Sequence, residues 1–168
     1  ANMLTAYYSR GCDSRGLFQG LKIATHPDFE KYLNQYNVIH LNMRDYLTES
    51  ENMKELIQFV EDDLLDELQQ EFSDLRMPRR KTLVKVLEQA FAQYKIPFVF
   101  IIDEWDCIFR VHKSDAVSQK EYLDFLRNLL KDKSYIALAY MIGILPIKKY
   151  GEHSAINVFY EYSMTDAS

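Results

Sequence analysis

Two cysteines, Cys12 and Cys107, are all that the 168-residue sequence carries, and neither has a partner motif. Its four histidines, His26, His40, His112 and His153, are scattered and add no metal-ligand spacing. A zinc site and a disulfide scaffold are therefore not expected. No apolar run approaches the ~18 residues of a membrane-spanning helix, and the start of the chain lacks the basic and apolar blocks of a secretion signal. A strong positive charge is missing too: the net charge is -5, so the chain as a whole has no attraction for nucleic acid or an anionic membrane. These absences predict a soluble, cytoplasmic protein with no membrane partner, and leave nucleic-acid binding by a local patch undecided.

Enough apolar material is present for a sizeable core. Hydrophobic residues make up 48% and aromatic residues 14%, which excludes a disordered chain and fits one globular domain over residues 1–168. The sequence opens at Ala1 already in helical pattern (Met3, Leu4, Tyr7, Tyr8) and stops at Ser168 just after an extended stretch, so we expect a partial domain cut at both ends. Charge is uneven: Arg44 to Leu75 hold eleven acids against two bases, and Arg76, Arg79, Arg80, Lys81 and Lys85 follow before the next acid, Glu88. Two solvated helix faces of opposite sign account for this most simply.

Hydrophobic period sets the elements. "YNVIHLNM" (36–43) is short, apolar and β-favouring, which predicts a strand buried on part of both faces, with His40 a satisfied buried or half-buried histidine. Thr25, Pro27 and Asp28 suit a helix start before it, with Phe29, Tyr32 and Leu33 on one face. Between 51 and 75, Met53, Leu56, Ile57, Val60, Leu64, Leu68 and Phe72 recur every three or four positions and predict a long amphipathic helix. Pro78 interrupts, and a second helix follows over about 80–94. "IPFVFIID" predicts a continuous apolar strand, "SQKEYLDFLRNLL" a helix capped by Ser118, and "YIALAYMIGI" another strand; "INVFYEYSM" (156–164) suits one more, nearer an edge. Strands alternating with helices predict an α/β fold with a mostly parallel sheet covered by helices.

The stretch "FVFIIDEWD" (98–106) carries the chemistry. In a parallel α/β sheet, ligands bind outside the carboxyl ends of the strands, where Asp103, Glu104 and Asp106 fall. A buried strand holds such acids rigidly: the first suits a hydrated Mg²⁺, and the second suits orienting or deprotonating a water. Acids also end strands simply by meeting solvent or capping the next turn, so the motif alone leaves a structural role open.

"NMLTAYYSRGCDSRGLFQGLKIA", "YNVIHLNM", "FVFIIDEWD" and "GILPIKKYGEHSAINVFYEYSM" together resemble, in order and over nearly the whole chain, the bacterial AAA-ATPase-like family. Its members are predicted P-loop ATPases, often followed by a PD-(D/E)XK-type nuclease domain. The resemblance implies a P-loop NTPase-like fold with "FIIDEWD" as the Walker B strand. It makes Asp103 the Mg²⁺-associated carboxylate and Glu104 the catalytic base, with Asp106 a further acid of less defined role. It implies Mg²⁺ and ATP as cofactors, a C-terminal nuclease-type domain and a homo-oligomer as candidate partners, and a first strand and phosphate loop placed immediately before Ala1. No G-x-x-x-x-G-K-[ST] occurs in the 168 residues, and Gly11, Gly16, Gly20, Gly143 and Gly151 are none of them followed by Lys-Ser or Lys-Thr. As it stands the chain is expected to bind nucleotide poorly. Without a central strand it is also expected to be marginally stable or to associate.

The strand from Tyr135 ends in Met141-Ile142-Gly143, where the family has Thr-Gly; isoleucine has no hydroxyl with which to sense a γ-phosphate. Tyr140, or Lys148 and Lys149 of "KKYG", are the candidates to replace it, against paired lysines that are simply solvated. Arg79 and Arg80 suit either a phosphate contact or a solvated turn. Phe159, Tyr160 and Tyr162 suit core or interface more than base stacking. Three functions compete: the core of an ATPase controlling an attached effector, a lapsed α/β scaffold that binds protein or nucleic acid, and a metal-dependent nuclease built from Asp103, Glu104 and Asp106 themselves.

Overall fold

A computed structural model describes residues 1–145 and 159–162. Its centre is strand β2, Phe98–Asp103, in which all five apolar residues are buried. β1, Asn37–Asn42, and β3, Ile136–Met141, pair with it on either side, giving an all-parallel sheet of order β1-β2-β3. Parallel pairing demands crossovers long enough to return the chain to the starting end, and helices supply them. Between β1 and β2 run α3 (Met43–Glu49), α4 (Met53–Glu71) and α5 (Leu83–Tyr94); between β2 and β3 run α6 (Cys107–Val111) and α7 (Ala116–Leu130). Ahead of β1 come α1 (Asn2–Tyr8), two short 3₁₀ turns and α2 (Phe29–Tyr32), which gather Phe18, Phe29 and Leu33 into a small separate core around Tyr7.

The main core lies on one face of the sheet. Side chains alternate along a strand, so Phe98, Phe100 and Ile102 share a face with Ile39 and Leu41. They pack there against the apolar stripes of α4 (Leu56, Val60, Leu64), α5 (Leu83, Val86, Leu87) and α7 (Tyr122, Leu126, Leu129). Val99 and Ile101 point the other way and are also buried. Their register partners on the edge strands are not. His40, opposite Ile101, is exposed, and Tyr140, on its other side, keeps 45% of its surface. The expectation of strands apolar on both faces therefore holds for β2, while the buried or half-buried His40 is corrected: it is exposed to solvent.

Local chemistry accounts for the helix starts. The Asn52 side chain accepts from the Glu55 amide, and the Glu55 carboxylate accepts from the Glu51 amide at 2.6 Å, a reciprocal cap on α4. α7 starts differently from the expected Ser118 cap. Asp115 is the capping residue, its Oδ1 accepting from the Ser118 amide at 3.0 Å and its Oδ2 from the Ser118 hydroxyl, and these bonds lower its pKa. The carboxylate outcompetes the hydroxyl because it is the stronger acceptor. The strand expected over 156–164 lies mostly outside the described residues; Phe159 packs against the main core, and 159–162 have no regular secondary structure.

Candidate active site

The carboxyl end of β2 is fixed from both neighbours. Asn42 of β1 stands opposite Asp103 in the register, and the ladder with β3 continues one step past the strand, the Ile142 amide donating to the Ile102 carbonyl at 2.8 Å. The Trp105 amide then donates to the Ile142 carbonyl at 3.2 Å, so the turn after β2 is tied to the segment after β3. Glu104 makes that turn in the left-handed region, with φ +53°. A side chain with a Cβ adopts this conformation at a cost of roughly 1–3 kcal/mol, which the surrounding contacts must offset.

The three acids take three different positions. Asp103 is half-buried; its Oδ1 accepts from the Glu104 amide at 3.0 Å, and Oδ2 makes no hydrogen bond among the described residues. Glu104, also half-buried, reaches six residues ahead and pairs with the Arg110 guanidinium near the end of α6. That bond is the main reason the Arg110 pKa is raised. Asp106 is fully buried: its Oδ2 accepts from the Ile144 amide at 3.2 Å and the Leu145 amide at 2.9 Å, and lies 3.3 Å from Arg110 Nε. That last contact has ion-pair distance without hydrogen-bond alignment, and Asp106 Oδ1 has no hydrogen-bond partner among the described residues.

Packing closes the space around them. Trp105, the sole tryptophan, is buried, and the buried Tyr122 hydroxyl donates to its carbonyl at 2.9 Å. Gly143 slides beneath it: a Cβ there would come within 2.5 Å of Trp105 Nε1 and 2.7 Å of Asp106 Oδ1. Next to Asp106, burial pushes the Cys107 thiol up to about 11, so it stays protonated and unreactive near neutral pH.

A hydrated Mg²⁺ takes one or two carboxylates and completes its shell with phosphate and water, and Asp103 Oδ2, without a hydrogen bond among the described residues, is a carboxylate oxygen of the kind that could hold it. The described residues bring no three His, Cys, Asp or Glu side chains together around a common metal position. Glu104 and Asp106 face Arg110 instead, so the nuclease built from all three acids loses its geometric basis. At Gly143 a side chain would meet the Trp105 ring and the Asp106 carboxylate, so that position is fitted to packing.

Other expected residues are distributed as follows. Lys148 and Lys149 lie outside the described residues. Tyr140 stands opposite Ile101 on the open face of the sheet rather than at the strand tips. Ile142 is half-buried, with both backbone groups used in the ladder. Arg79 and Arg80 are exposed and form no ion pair with the described residues. Arg110 and Gly143 are the site residues that sequence reasoning missed. The i,i+4 spacing of Asp106 and Arg110 on α6 was the available signal for the arginine.

No curated protein and no solved structure matches the chain. A family model described as predicted AAA-ATPase matches residues 1–151, which contain the parallel sheet, the Asp103–Glu104 pair and the Gly143 loop. By that match, which spans most of its length, the chain belongs to the AAA-ATPase-like family.

Proposed function

We propose that these residues form the core of an ATPase whose intact protein binds and hydrolyses Mg-ATP to control an attached effector. One observation carries the reading: the central strand of a parallel sheet, its five apolar residues buried, ends on Asp103 with Glu104 next in the chain, at the carboxyl end where such sheets bind ligands. Asp103 would hold the water shell of Mg²⁺ through its unbonded oxygen. Bound there, the ion would supply charge neutralisation on phosphate oxygens. Glu104 would orient the attacking water and accept its proton. A nuclease-type domain is the proposed effector and a second copy of the chain a further partner; both rest on the family resemblance rather than on contacts within these residues. Cytoplasmic placement is part of the same proposal; what is seen is that no helix of the described residues is long and apolar enough to cross a membrane.

A second reading has its own support. Ile142 offers no hydroxyl for a γ-phosphate, and Asp106 is spent on holding backbone amides, as expected of a scaffold that binds protein or nucleic acid without turnover. The test is Mg-ATP titration of the full-length protein, wild type and Asp103→Ala. The ATPase reading expects Mg²⁺-dependent ATP binding that Asp103→Ala weakens by about tenfold or more, the loss of roughly 1.4 kcal/mol of charge-assisted contact. Equal, Mg²⁺-independent binding by both, or none by either, would leave the scaffold reading. DNA cleavage without ATP would revive the nuclease.

A further inference from the structure

β1 is an edge strand whose outer side is paired only at its start, where the Tyr36 amide donates to the Tyr8 carbonyl at 2.9 Å and the Tyr36 carbonyl accepts from the Arg10 amide. Backbone groups alternate sides along a parallel strand, so Val38 and His40 turn the same groups outward, and neither makes a hydrogen bond on that side among the described residues. Val38 also lines a cavity of about 440 Å³ whose opposite wall is α4. The cavity is thus a groove between an open strand edge and a helix. Leu64, Leu68 and Phe72 make its floor apolar, and Glu67, Gln70 and Glu71 stand on its rim. Arg10 answers Glu71, while Glu67 is exposed without an ion pair among the described residues, so the rim is left acidic. An edge of this kind takes an extended segment as an added strand, and the rim selects for a basic one.

The chain itself carries such a segment. Arg79, Arg80 and Lys81, just ahead of α5, are exposed, form no ion pair and make no backbone hydrogen bond among the described residues. They are held away from the groove of their own chain. α5 runs 12 residues to Tyr94, whose ring packs on Phe72 in the groove floor, so its start stands about 18 Å off along the helix. We propose that residues 79–81 of a second copy dock in the groove between β1 and α4, an arginine meeting Glu67 and the backbone pairing with Val38. Segment and groove are different surfaces, so the contact is head-to-tail and builds a ring or an open chain of copies rather than a twofold dimer. It is small and held largely by charge, hence weak and loosened by salt. It does not depend on ATP hydrolysis.

Sedimentation of the full-length protein at low ionic strength should show a mass that rises with concentration, and about 0.5 M salt, which shortens the screening length to a few Å, should lower it. Glu67→Lys with Gln70→Lys reverses the groove, and Arg79→Glu with Arg80→Glu reverses the segment. Each double variant alone should associate about tenfold or more weakly, a loss of one favourable charge contact. Mixed in equal amounts, the two should associate again, because each groove then meets a segment of opposite sign; that recovery also shows that both variants fold. A wild type that stays monomeric at every concentration would overturn the contact and leave the groove to a basic segment of a different protein. Double variants that associate as the wild type does would overturn it too, as would a mixture that stays apart while both variants unfold in urea as the wild type does.

Discussion

The two ends of the sheet each place an arginine between a buried polar side chain and a more exposed acid, yet they differ in what is left over. At the amino end, Arg10 Nε donates to Asn37 Oδ1, Asn37 Nδ2 donates to the Ile96 carbonyl at 3.0 Å, and the Arg10 amide donates to the Tyr36 carbonyl at 3.0 Å. Glu71, 62% exposed, completes the set at 2.7 Å, and Phe72 lies beneath the guanidinium. Among the described residues, no buried side-chain N or O there lacks a hydrogen-bond partner. At the carboxyl end, Arg110 serves Glu104 and Asp106, while among the described residues Asp103 Oδ2 and Asp106 Oδ1 have no hydrogen-bond partner. A cavity of about 440 Å³ opens at the amino end, lined by Arg10, Asn37, Glu71 and Phe72 among others, so volume and chemistry point to opposite ends. The site proposed above follows the chemistry. Ligands of parallel sheets bind at carboxyl ends, and satisfied polar groups beside a cavity make a joint rather than a site.

Substitutions can break this comparison, beginning with the largest effect. Asp106→Ala should cost about 3–5 kcal/mol of unfolding free energy, because it removes a buried carboxylate that faces Arg110 and leaves the Ile144 and Leu145 amides without their acceptor. Asn37→Ala at the other end should cost less, about 1–3 kcal/mol, for one carbonyl and one Arg10 N–H left unpaired. Gly143→Ala should fall in the same range, about 1–3 kcal/mol, since its Cβ would overlap Trp105 and Asp106, and it should also shift Trp105 emission, which Asn37→Ala should not. Urea unfolding checks all three. Glu71→Gln should cost under about 1 kcal/mol, because that ion pair is open to solvent.

Cysteine reactivity sharpens the same contrast without altering the chain. A thiol reagent at pH 8 should label exposed Cys12 and leave Cys107 intact until the protein unfolds. The Cys107 thiol is pushed up from 9.0 to about 11 by burial. Its contribution to stability is therefore complete below pH 9 and is lost as pH rises through about 11, so Cys107→Ala should flatten the alkaline fall in stability.

Much of this was legible in the residues themselves. The apolar run 98–102 announced a strand buried on both faces, the three-to-four spacing of Leu56, Val60, Leu64 and Leu68 announced α4, and the alternation of strands with helices announced a parallel sheet. His40 misled because its neighbours Ile39 and Leu41 are buried: a strand flanked by apolar residues still shows its alternate side chains to whatever covers the other face, and local sequence does not say what that is. Ser118 misled because a cap depends on which side chain reaches the first free amides, and Asp115, three residues earlier, reached them first. The place of Asp103 and Glu104 at the end of β2 followed from strand logic. The commitment of Glu104 to Arg110, and of Asp106 to the amides of Ile144 and Leu145, did not, because the loop after β3 is 38 residues and more from Asp106 and only folding brings it there.

Mg²⁺-dependent ATP hydrolysis by the full-length protein, compared with its Glu104→Gln variant in the same ATP-binding assay, tests the central claim most directly. The account predicts that the variant binds Mg-ATP as the wild type does and has lost turnover. Turnover that survives in Glu104→Gln would contradict it, because the water would then be activated by some group other than the one that the central strand presents.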